Sequence, residues 1–93
     1  MASFEFKGIV AQEEVQSGTG AASGLLAEYQ AGAVQANTVG YLDQSGTLRV
    51  ATMFYNGDEP EVLLDAVNAA KSRLGPDAAD TFRILGGPAV RKF

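Results

Sequence analysis

The segment Ser17-Gly18-Thr19-Gly20-Ala21-Ala22-Ser23-Gly24 holds the residue types of this chain best suited to anion chemistry. Glycines let a backbone approach a phosphate closely, and free N–H groups at a helix start attract anions. Gly18, Thr19, Gly20, Ser23 and Gly24 are therefore the candidate anion contacts, with phosphate or a nucleotide as the ligand class. Asp58, Glu59, Glu61 and Asp65 form a second group. Asp58, Glu61 and Asp65 fall near one face of a predicted helix, and oxygen ligands of this kind hold hard cations. Helix capping and the helix dipole call for the same acids at the same place. No metal or cofactor is assigned on this basis.

Each signal has a plainer structural reading beside it. The glycine spacing loosely resembles a dinucleotide-binding loop, but polar residues separate it from the preceding strand, and the chain has no room for a doubly wound sheet. A flexible connection has the same composition. Leu85-Gly86-Gly87 resembles the processing site of ubiquitin-like modifiers over three residues. A break after the last strand is the better account, since a β-grasp needs further strands behind its helix and only one short strand follows here. The acids near residue 58 also make a surface that would compete with nucleic acid for a basic partner.

The 93 residues contain no His and no Cys. Acid–base work would fall on Asp, Glu, Lys or Tyr, and a Ser or Thr nucleophile would lack its usual imidazole partner. The expectation is a non-enzymatic domain. Net charge is −4, with basic residues scattered apart from Arg91-Lys92, which argues against a phosphate-neutralising nucleic-acid surface. No apolar run approaches the ~20 residues of a membrane span. MASFEFKG lacks the pattern of a secretory signal, so a cytoplasmic location is expected.

The elements that would position these residues are clearest between 47 and 76. Thr47 to Tyr55 alternates, with Leu48, Val50, Thr52 and Phe54 on one face and Arg49, Ala51, Met53 and Tyr55 on the other. The first set is the better core. Asp43-Gln44-Ser45-Gly46 is a turn, so 38–55 reads as a hairpin. Asp58, Pro60 and Glu61 open a helix over 59–74, and Gly75-Pro76 ends it. Its stripe is Leu63, Ala66, Val67, Ala70 and Leu74.

Elsewhere, Ser3 to Ala11 reads as a strand with Phe4, Phe6 and Val10 on one face, and 12–24 as a Gly/Ser-rich loop. Residues 77–80 read as a loop, Thr81 to Leu85 as a last strand with Phe82 and Ile84 inward, and 86–93 as a tail. Leu25 to Ala36 carries both a helical and a strand pattern. The chain is thus one α+β domain over 1–93: an antiparallel sheet with one or two helices on one face. Helix at 25–36 gives the order β-α-β-β-α-β, the ferredoxin-like arrangement. Strand there gives a meander with a single helix at 59–74.

One sheet face would then be open. Tyr41, Arg49, Met53 and Tyr55 are the expected partner-binding residues on it, and the expected function is protein–protein interaction, as assembly subunit, adaptor or inhibitor. The partner is a protein, a second copy of the chain included. Anion binding at 17–24 is the alternative function.

Overall fold

A computed structural model describes residues 4–57 and 62–86. In chain order it contains strand β1 (Glu5–Ala11), helices α1 (Gln12–Ser17) and α2 (Ala22–Gln30), strands β2 (Gln35–Leu42) and β3 (Leu48–Asn56), helices α3 (Val62–Leu74) and α4 (Pro76–Thr81), and strand β4 (Arg83–Gly86). The strands form one antiparallel sheet in the order β1-β3-β2-β4. The α+β class is as expected. No described helix is long and apolar enough to cross a membrane.

The β2–β3 hairpin forms where its turn chemistry places it. The Gly46 amide donates to the Asp43 carbonyl at 2.9 Å, and Gly46 closes the turn at φ 80°. The Asp43 carboxylate accepts from the Ser45 and Thr47 amides and the Ser45 hydroxyl, while Arg49 donates to its other oxygen at 2.8 Å. These contacts hold its pKa well below the usual carboxylate range, the Ser45 hydroxyl contributing most, then the Thr47 amide and Arg49.

The placement of β4 decides how the helices are arranged. β1 and β2 run parallel with β3 between them, and β3 and β4 run parallel with β2 between them. Both connections step in the same direction along the sheet, but they leave from strands of opposite sense. Right-handed crossovers then put the two helical connections on opposite faces. Had β4 added beside β1, the second connection would step back and both would share a face.

The core follows this geometry. Phe54, Val10, Ala36 and Val34 pack with Val15 of α1 and Ala22 and Leu26 of α2. Met53, Tyr55, Ala51 and Val39 pack with Val62, Ala66 and Ala70 of α3. Phe54 and Met53 are adjacent in β3, so the two clusters lie on opposite sides of the sheet. The expectation of helices on one face, and with it the ferredoxin-like arrangement, is corrected here.

Other differences are local. The 12–24 loop contains α1 and the start of α2, and 25–36 divides into helix to Gln30 and strand from Gln35. α1 has one buried apolar residue, Val15, and ends at Gly18 with φ 69°. One apolar residue makes no stripe, so no periodicity announces this helix. α4 occupies the expected loop 77–80: Gly75 ends α3, and Pro76 starts the next helix, where its missing N–H costs nothing. In β1 the register slips between Phe6 and Gly8. This bulge puts Phe6 with Ile9 on the α3 side, apart from Val10. In α3 the buried stripe is Val62, Ala66 and Ala70, while Leu63 is exposed. Ile84, opposite the buried Val39 on the α3 side, is left 40 % exposed. The capping residues Asp58, Pro60 and Glu61, and the tail beyond Gly86, lie outside the described residues.

Candidate functional site

The four expected partner residues do not form an open face. Met53 and Tyr55 are buried, at 0 % and 3 % exposure, beneath α3. The Tyr55 hydroxyl donates to Asn37 Oδ1 at 2.5 Å, and burial raises its pKa. Tyr41 is half-buried and stacks on Phe82, with ring centroids 6.5 Å apart. Arg49 is exposed, but its guanidinium is engaged by Asp43. The reason for the difference is the crossover of α3 onto this face.

The glycine segment is organised by a carboxylate. Gly18 and Thr19 amides donate to the Glu14 carbonyl, and the Ala21 amide donates to Glu14 Oε1 at 3.1 Å. Ala22 and Ser23 amides donate to the carbonyls of Thr19 and Gly20, and the Ser23 hydroxyl also donates to Gly20. Ser23 and Gly24 belong to the first turn of α2. The amides of Gly18, Thr19, Ala21, Ala22 and Ser23 are thus taken up by the chain's own oxygens. A Cβ on Gly20 would overlap Glu14 Oε1, so the acidic side chain itself fills the cradle. A negative charge there repels a phosphate.

No cluster of three or more metal-ligating side chains occurs among the described residues. The acidic surface rests on Asp58, Glu59 and Glu61, which lie outside the described residues; Asp65 is exposed on α3.

The structure instead leaves open the other half of the face that carries α1 and α2. These helices cover the Phe54 end. Thr52 marks the limit of the cover: fully buried, its hydroxyl donates to the Gln12 side-chain oxygen at 2.9 Å, pinning the start of α1. Beyond it the same-face residues of β3 and β2 are Val50 opposite Gly40 and Leu48 opposite Leu42. Leu48, Leu42 and Val50 are 64 %, 38 % and 36 % exposed, and Leu85 of β4 is 54 % exposed. Leu85 leans over Gly40: a Cβ there would stand 3.0 Å from Leu85 Cδ1. Gly40, Leu42, Leu48, Thr81, Arg83 and Leu85 line a groove of about 290 Å³, together with Tyr41 of the predicted partner set.

These exposed aliphatic side chains lie together at the place where the helical cover stops. Sequence alternation put Leu48 and Val50 with the core face, which is the correct face. It carried no signal of how far along the strands the helices extend. No family model, no curated protein and no solved structure matches the chain.

Proposed function

We propose that this chain is a non-enzymatic protein-interaction domain that binds through the uncovered half of the sheet, over Leu42, Leu48, Val50 and Leu85. The observation that carries this reading is the contrast within β3: residues 51–55 are buried on both faces, while Leu48 and Val50, with the same core-forming chemistry, are left to water. A few solvated aliphatic residues are ordinary; three leucines and a valine on one contiguous sheet surface fit a partner. A second copy of the chain is among the partners such a surface can take.

A photo-crosslinking amino acid placed at Leu48 tests the reading. Leu64, exposed at 62 % on α3, is the control position. In extracts of the source cells, position 48 is expected to give discrete crosslinked species that position 64 does not. Equal labelling at the two positions contradicts the proposal.

A further inference from the structure

We infer that the anchor taken by this surface is an aliphatic group carrying a carboxylate, as an acidic leucine-type segment of a partner protein presents it, with the chain in the groove between Leu42, Leu48 and Leu85 and the carboxylate on Arg83. The inference rests on the interaction reading above and names the chemistry of the partner.

Three observations converge on it. The groove is walled by Leu42, Leu48 and Leu85, and the absence of a side chain at Gly40 lets Leu85 lie against the sheet as one wall. Such walls select an aliphatic group by removing it from water. Among the described residues, Arg83 is the one charged side chain in the lining. It stands opposite Gly40 in the β2–β4 register, so its stem starts at the centre of the groove and not at a distant rim. No acid among the described residues is ion-paired with it: Lys7 takes Glu5 and Glu28, and Arg49 takes Asp43.

A guanidinium is suited to hold a planar carboxylate through two parallel hydrogen bonds. The chain as a whole has net charge −4. An acidic partner is therefore repelled by the net charge of the chain and attracted where Arg83 borders the apolar wall. That combination gives selectivity as well as affinity.

Hexanoate and 1-hexanol serve as minimal probes, matched in chain length and differing in charge. Both are titrated into the intact chain while methyl and Arg83 side-chain resonances are followed by NMR. Hexanoate is expected to shift the Leu42, Leu48 and Leu85 methyls, with a dissociation constant in the millimolar range that small ligands allow. An exposed ion pair makes it about three- to fivefold tighter than hexanol.

Arg83→Gln should remove that difference. Leu85→Asp should abolish the methyl shifts for both probes. Equal affinity of the two probes in the wild-type chain overturns the carboxylate assignment, as does an unaltered preference in Arg83→Gln. Absence of methyl shifts with either probe overturns the anchor altogether. In each of these cases the crosslinking contrast between positions 48 and 64 still decides the broader interaction reading, so the two failures are distinguishable.

Discussion

Leu42 and Leu48 face each other directly across β2 and β3, on the side of the sheet that carries α1 and α2, and both are exposed. An aliphatic cross-strand pair stabilises a sheet modestly even in water. Here the pair sits past the end of the helical cover, so little of its surface is removed from solvent by folding. Leu48→Asp is therefore expected to change the unfolding free energy by less than about 1 kcal/mol, the range of strand propensity and exposed substitution. Urea denaturation checks this. A loss of several kcal/mol would show that Leu48 belongs to the folding core.

The opposite behaviour is expected two turns of the pleat away. Met53 and Phe54 are neighbours in β3, fully buried on opposite faces under different helices. Met53→Ala should cost about 2–5 kcal/mol and Phe54→Ala about 3–5 kcal/mol, because each leaves a cavity in a separate cluster. Equilibrium denaturation of the two variants measures both. A cost below about 1 kcal/mol for Met53→Ala would mean that the α3 face is not packed.

Asp43 sets the response of the hairpin to acid. Its folded pKa lies well below the ordinary value of 3.8, held there by Ser45, Thr47 and Arg49. A group with a depressed folded pKa contributes stability that is present above its unfolded value and is lost as pH falls through the folded value. The Ser45 and Thr47 amide resonances should therefore stay put through the range in which exposed carboxylates protonate, and move only in stronger acid. Asp43→Asn retains an acceptor for both amides and should lose the charged contact with Arg49. Titration of those amides with a midpoint near 3.8 would contradict the network.

β3, the hairpin turn and the end of α3 are readable because local chemistry fixes each of them. Period-two alternation marks Thr47 to Tyr55, Asp43 to Gly46 is a turn by composition, and Gly75-Pro76 cannot continue a helix. α1 was not readable, since its formation depends on burying the single residue Val15 against the sheet. The slip around Lys7 in β1 depends on pairing with β3, which no local pattern encodes.

The open face was assigned to the wrong side for a topological reason. Whether β4 joins β2 or β1 determines which face α3 crosses, and that choice is made by long-range pairing of a four-residue strand. Tyr41, Met53 and Tyr55 look like a half-covered set until α3 is known to lie on them. Leu48 and Val50 look like core until α1 and α2 are known to stop short.

The central claim is that Leu42, Leu48, Val50 and Leu85 form the binding surface. Affinity capture from source-cell extracts, comparing the wild-type chain with a folded Leu48→Asp, Leu85→Asp variant, tests it most directly. Far-ultraviolet circular dichroism establishes that the variant is folded. The account predicts that partners retained by the wild-type chain are lost from the variant. Retention of the same partners at the same level by the variant would contradict it.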